Sequence, residues 1–307
     1  MTIMGARYDP SAVSAGLRVV RCERAAARIP SAVHISRIHM VPVLKDILAR
    51  KSIEVARAKE TIPVEALKER IGELGRPRNF FQAVVDRRHP NSTHAIAEIK
   101  RKSPSAGVIR DDFDPVAIAK AYYANGAAAI SCLTDEEYFG GKLEYIHAIR
   151  DAMPLPVLRK DFIVDIYQIW ESRAAGADAI LLIAEALEER DIIDFQILAT
   201  ELGMTTLLEV HDVEHLFSAV NIVGFPHRSY SLLGINNRDL RTMKTSIEHS
   251  MRLAEMLDDT SILVSESGIR TPEDLARLRA HGIHIVLVGE HLMRQPDPGA
   301  ALKTLLA

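Results

Sequence analysis

Residues 97–110 read AEIKRKSPSAGVIR. The stretch begins as a strand in which Ile96, Glu98 and Lys100 share one face of the pleat and Ala97 and Ile99 the other. An acid and a lysine therefore stand on the face of an apolar residue that points inward. Arg101 and Lys102 follow, and Ser103-Pro104-Ser105 stops the strand. Paired charges on an inner face are expected where the end of a sheet is a reaction site.

Outward from this strand, one unit recurs: a short apolar run, a few polar or Gly residues, then an amphipathic stretch. The runs are THAIAEI (93–99), AAAISCL (127–133), LPVLRK (155–160), ADAILLI (177–183), TTLLEV (205–210), SLLGIN (231–236), SILVSE (261–266) and IHIVLV (283–288). Between them lie helical patterns with start signals, such as Asp114-Pro115 and Thr271-Pro272, the latter stopped by Gly282. Strand starts about 21 to 35 residues apart are the spacing of βα units. Near-continuous apolar strands alternating with helices indicate a parallel sheet covered on both faces. Eight units in about 210 residues point to an α/β fold, a closed (β/α)8 (TIM) barrel, rather than an open doubly wound sheet. No GxGxxG follows the first strand, which argues against dinucleotide binding.

The 307 residues are 48% hydrophobic and 26% charged, with net charge −3, which is ordinary globular composition. Near neutrality gives no reason to expect nucleic acid or an anionic membrane as partner. No apolar run reaches the roughly 18–20 residues that span a bilayer. Cys132, in an apolar run, reads as a buried inert thiol, and with Cys22 it suits a reducing cytoplasm. Trp170 falls on a helix face and reads as core. Residues 40–90 add helices ahead of the barrel (VLKDILARKSIEVARAKE, VEALKERIGEL, NFFQAVVDRR), and the first is expected to close the barrel's N-terminal side. Residues 40–307 then form a single domain. Residues 1–39 are Arg-rich and acid-poor, the composition of a transit peptide; a disordered tail or an upstream start codon is the favoured account of them, and a disordered leader dispensable for turnover is expected. No second, isomerase barrel is expected after residue 307.

Barrel enzymes place their chemistry at the C-terminal strand ends. There strand one ends in Glu98 and Lys100. Strand three aligns Leu158 with Lys160, and strand five Leu207 with Glu209. Strand six lines up Gly234, Asn236 and Arg238, and strand seven Val264, Glu266 and Gly268. Any one charge at a strand end could merely begin a solvated loop. Three carboxylates and two lysines around one mouth are costly to desolvate unless paired, and crowding of this kind drives pKa values apart. Ser267-Gly268 and Gly289-Glu290, just after strands seven and eight, offer backbone N–H groups as a phosphate cradle. The run KRKSPS could serve as a basic nucleic-acid patch, but its place at a strand mouth favours the site. His211, His215, His281 and His284 form no ligand-like cluster with carboxylates in sequence, so no metal is expected.

At these residues the sequence resembles the indole-3-glycerol-phosphate synthase family of tryptophan biosynthesis. IAEIKRKSPS, LTDEEYFGG, VLRKDFI, LLEVHD, GINNRDL, SESGI and LVGE fall in the family's order, one per strand mouth, and the resemblance covers about residues 40–307. It implies a (β/α)8 barrel that converts 1-(2-carboxyphenylamino)-1-deoxyribulose 5-phosphate to indole-3-glycerol phosphate, releasing CO2 and water without metal or cofactor. It would make Lys160 the general acid of ring closure. Lys100 would hold the aromatic carboxylate or share the acid's duty, and Glu209 would be the base of dehydration. Glu98 and Asn236 would orient hydroxyls and lysines, Arg238 would face the carboxylate, and Glu266 would form a further polar wall. Ser103, Ser267, Gly268, Gly289 and Glu290 would bind phosphate, and Phe139, Phe162 and Leu240 would form the apolar slot for the ring. His291 departs from the small residue expected in GEHLM. The rival readings are another phosphate-binding barrel isomerase, acting on a ribulose phosphate or phosphoribosyl-anthranilate, and a non-catalytic barrel that binds sugar phosphates.

Overall fold

In a computed structural model of the chain, residues 42–85, 92–239 and 242–307 are described. The leader expected over 1–39 and Leu240 lie outside the described residues. Eight parallel strands close into a barrel: β1 (His94–Ile99), β2 (Ala129–Leu133), β3 (Val157–Lys160), β4 (Ala179–Ile183), β5 (Thr205–Val210), β6 (Ser231–Asn236), β7 (Leu263–Glu266) and β8 (Ile285–Val288). Closure is made where β1 pairs with β8 (Ile96 opposite Leu287) and with β2 (Ile96 opposite Ala129). After β1 the chain makes a small antiparallel hairpin, Lys102–Ser103 with Gly107–Val108, at the barrel mouth.

The strands are buried on both faces, as their apolar runs require. Inward residues Ile96, Leu158, Leu181, Leu207, Leu232, Val264 and Leu287 fill the barrel's interior. Outward residues such as Ala97, Ile130, Leu182 and Leu233 pack under the surrounding helices α4 (Pro115–Ala124), α5 (Glu144–Ala152), α6 (Tyr167–Ala174), α7 (Glu189–Glu201), α8 (Val213–Ile222), α9 (Glu248–Ala254), α10 (Pro272–Ala280), α11 (Glu290–Met293) and α12 (Pro298–Leu306). The expected caps form. Asp114 accepts from the backbone N–H groups of Val116 and Ala117, and Thr271 makes a reciprocal capping box with Asp274. Cys132 is buried and free, its thiol pushed up by burial and by Glu98. Trp170 is half-buried against the core, with the Lys68 ammonium 5.0 Å from the ring centre. No helix among the described residues is long and apolar enough to cross a membrane.

The N-terminal extension corrects one expectation. Helix α1 (Pro42–Thr61) does not close the N-terminal side of the barrel. Its Leu44 and Ile47 cover the opposite end, at the C-terminal mouth, and Lys51 sits in a buried nest of acids from the β2 and β3 loops. The chain then runs along α6, where the Tyr167 hydroxyl donates to the carbonyls of Ala58 and Ile62. After α2 (Val64–Glu73) it turns under the barrel. There α3 (Phe80–Val84) is the plug: Phe80 and Val84 are fully buried in the interior cluster, and Phe81 N–H donates to Thr205 Oγ1 at the start of β5. Arg78 fixes this end, its N–H donating to Asp178 and its guanidinium to the carbonyls of Arg150, Met153 and Leu155. The apolar periodicity of α1 was visible in sequence. Which end it covers was not, because Asp135 and Asp161, which hold it, come from distant loops.

Candidate active site

One cavity of about 640 Å³ opens at the C-terminal mouth, within the range of small-molecule sites. At its centre is Lys160, which the phase of β3 turns inward. Its Nζ lies 2.5 Å from Glu209 Oε2 and 2.8 Å from Glu266 Oε2. Glu209 is also held by Asn236, whose amide donates to Oε1 at 3.1 Å. Lys100, on β1, pairs with Glu98 at 2.8 Å. Gly234 and Gly289 supply room: a Cβ on Gly234 would meet Glu266 Oε1 at 2.3 Å, and one on Gly289 would meet Glu98 Oε1 at 2.3 Å.

Two buried carboxylates sharing one ammonium cannot titrate alike. Burial pulls the Lys160 ammonium down, but Glu209, Glu266 and Glu98 more than offset this, and it stays charged well above the lysine range. Burial raises Glu209, yet Lys160, His211 and the hydrogen bonds it accepts hold it below the carboxylate range. Glu266 moves the other way: burial raises it, Lys160 pulls it back down, and the Glu209 charge raises it again, leaving it above the carboxylate range. Its Oε1 is buried without a hydrogen-bond partner. The cluster thus holds a charged lysine, an ionised carboxylate and a second carboxylate poised to keep a proton, a division suited to acid and base work.

Beside the charges is an apolar slot. Phe139 and Phe162 stand with ring centres 6.0 Å apart, and Leu44, Ile47, Leu133, Leu181 and Ile183 complete it. Phe139 is placed by Asp135, whose carboxylate accepts from the N–H groups of Tyr138 and Phe139, and Gly141 is required where the loop passes the Leu133 carbonyl. At the other end Ser103, Ser267, Gly268, Gly289 and Glu290 line the cavity. Ser267 and Gly268 both have positive φ (68° and 80°), a turn costly for serine but held by Asn237, which donates to the Ser267 carbonyl and to Ser265 Oγ. Arg238 spans to Glu290 at 3.0 Å and to Ser105.

Every described residue expected at the site lines this one cavity. Sequence reasoning missed Leu44 and Ile47, which only docking brings to the mouth, and Asn237, whose side chain points away from the cavity and acts on the loops. It also misjudged the histidines. His211 Nδ1 lies 3.1 Å from Glu185 Oε2 and its Nε2 3.4 Å from Glu209 Oε1, and His215 Nδ1 lies 3.6 Å from Glu185 Oε1 and 2.9 Å from Asp212 Oδ1. Glu185 follows β4 and the histidines follow β5; neighbouring strand ends meet in space but are far apart in the chain.

A family model described as indole-3-glycerol phosphate synthase matches residues 44–305. The chain belongs to the indole-3-glycerol phosphate synthase family. A relative of that name from Rhodopirellula baltica is 46% identical over 265 residues, 86% of this chain and 99% of its own length. Another, from Acidithiobacillus ferrooxidans, is 46% identical over 266 residues, 87% of this chain and 99% of its own length. The family comprises carboxy-lyases of tryptophan biosynthesis. Among solved structures, a 3-hexulose-6-phosphate synthase superposes with TM-score 0.54 at 15% identity, over 69% of this chain and 97% of that one, which speaks for the barrel fold alone. His291 stands where the sequence reading expected a small residue. It lines the cavity rim, and burial and then Arg270 lower its pKa below the histidine range, so near neutrality it adds bulk rather than charge.

Proposed function

We propose that this chain closes, decarboxylates and dehydrates 1-(2-carboxyphenylamino)-1-deoxyribulose 5-phosphate to indole-3-glycerol phosphate, the activity its relatives are named for. The observation that carries the reading is the Lys160 ammonium held between Glu209 and Glu266 at the edge of an apolar slot. The aromatic ring enters between Phe139 and Phe162, and the phosphate settles on the N–H groups around Ser267, Gly268 and Gly289, with Ser103 beside it. Lys160 protonates the ribulosyl carbonyl oxygen as the ring carbon attacks. Lys100, kept by Glu98, meets the aromatic carboxylate or shares this proton donation, and Arg238 faces the same group. Moving that carboxylate out of water into the slot favours loss of CO2. Glu209, ionised and within reach of Lys160, then takes the proton released as the hydroxyl leaves as water. No metal or cofactor is required of any residue in this scheme. The substrate is a small phosphorylated molecule rather than nucleic acid or a membrane, and the free buried Cys132 suits a reducing cytoplasm.

The test is turnover of that substrate by purified protein, followed by the rise of indole fluorescence. Lys160→Met keeps length and apolar volume but removes the donor, and kcat should fall by at least ~10²-fold while substrate still binds. Turnover within about threefold of wild type would remove Lys160 from the acid's role.

A further inference from the structure

The proposed reaction has a proton requirement that Lys160 and Glu209 cannot meet alone. Turning the carbonyl oxygen into water uses two protons, and one returns from the carbon beside the ring nitrogen. The departing CO2 leaves its electron pair in the ring. Each turnover therefore takes one proton from solvent, at a lysine buried beneath the substrate.

A row of titratable groups leads outward from this lysine. Glu209 meets Lys160 through Oε2, and its Oε1 faces His211 Nε2 at 3.4 Å. That nitrogen is buried and has no hydrogen-bond partner. On the other side of the ring, Nδ1 lies 3.1 Å from Glu185 Oε2, and the backbone N–H of His211 donates to Glu185 Oε1 at 2.7 Å, so the carboxylate grips one residue twice. Glu185 Oε1 is 3.6 Å from His215 Nδ1, which lies 2.9 Å from Asp212 Oδ1. Side-chain exposure rises along the row, from 4% at Glu209 to 11% at His211 and Glu185, 15% at His215 and 53% at Asp212.

We propose that His211, Glu185 and His215 form a proton relay that connects Glu209 and Lys160 with solvent and delivers the proton each turnover consumes. The proposal rests on the roles given above to Glu209 and Lys160. In the transfer, the charged His211 ring gives its Nε2 proton to Glu209 Oε1 and on to Lys160, keeping the Nδ1 proton against Glu185. Rotation of the ring then turns the bare nitrogen toward Glu185, and a solvent proton arriving by way of His215 and Glu185 recharges it. Only N–H and O–H bonds form and break, and one proton enters. The groups facing His211 suit a ring that gains and loses charge. Burial lowers its pKa, but the Glu185 hydrogen bond and the charges of Glu209, Glu185 and Glu266 raise it above the histidine range. His249, from α9, meets the His211 carbonyl through Nε2 at 2.9 Å and Arg252 through Nδ1 at 3.0 Å.

The experiment compares His211→Ala, His211→Gln and Glu185→Gln with the wild type, using kcat, KM, solvent deuterium isotope effect and added imidazole. A relay predicts kcat lower by about tenfold or more with KM within about twofold, and a larger solvent isotope effect. It also predicts recovery of His211→Ala by imidazole, which a merely structural loss would not give. If His211→Ala does not fold, His211→Gln and Glu185→Gln decide the matter through the isotope effect and the loss of kcat toward high pH. Wild-type kcat in the glutamine variants, or a lowered kcat that neither imidazole nor isotopic solvent affects, overturns the relay. Glu209→Gln separates the two readings: if it is inactive while the His211 variants turn over normally, the relay alone fails, and if it is fully active, the role of Glu209 fails first.

Discussion

Replacing Lys51 by Met removes the ion that fastens α1 over the mouth. Lys51 Nζ lies 2.8 Å from Glu54, 2.9 Å from Asp135 and 3.0 Å from Asp161, and it is nearly inaccessible to water, as are the two aspartates. Breaking a buried pair by removing one partner costs about 3–5 kcal/mol, because the remaining charge stays buried. Here the low end applies, since Asp161 keeps Arg159 and Thr134, and Asp135 keeps two backbone N–H donors. About 3 kcal/mol at roughly 2–4 °C per kcal/mol gives a fall in Tm of about 6–12 °C by thermal unfolding. Because Leu44 and Ile47 then sit less firmly on the cavity, KM rises severalfold, by about fivefold, with a smaller change in kcat. The pH dependence has a definite sign. Asp161, buried but held down by Arg159 and Lys51, has a pKa below its unfolded 3.8, so its stabilisation is present above that value and is lost as pH falls through the folded one. Lys51 is raised above 10.5, so its part is intact at every pH below that. The gap between wild type and variant should therefore be full near neutrality and close below about pH 4. A Tm within about 2 °C of wild type at pH 7, with unchanged KM, would refute the reasoning.

Three further outcomes follow from other parts of the molecule. Glu209→Gln preserves shape and hydrogen bonding but cannot take a proton, so in a single turnover CO2 should appear ahead of indole fluorescence; equal slowing of both signals would count against a separate base. Gly234→Ala puts a Cβ 2.3 Å from Glu266 Oε1 and should displace that carboxylate from Lys160, lowering kcat by about tenfold or more, with unchanged kcat as the contrary result. Phe80→Ala removes the buried plug at the far end of the barrel and should cost about 3–5 kcal/mol in urea unfolding while leaving KM within about twofold; a raised KM would mean that the bottom of the barrel is coupled to the mouth.

Much of this protein was legible along the chain because its unit repeats locally. Each β-strand carries its own alternation, so Leu158 and Lys160, or Leu207 and Glu209, had to share a face whatever the fold around them. Eight apolar runs separated by capped helices then left a closed barrel as the arrangement that buries all of them, and the phase of five strand ends brought their polar residues to one mouth. What sequence could not supply were relations between elements without a common period. Whether α1 lies over the mouth or under the barrel depends on Lys51 finding Asp135 and Asp161, and the plug is instead Phe80, in a helix of five residues. The meeting of His211 with Glu185 arises because strands neighbouring in the barrel end side by side, although the two residues are 26 positions apart. The division of charge between Glu209 and Glu266 also belongs to the tertiary structure alone. Their intrinsic chemistry is identical, and only distance to one ammonium, burial and the neighbouring hydrogen bonds set one down and the other up.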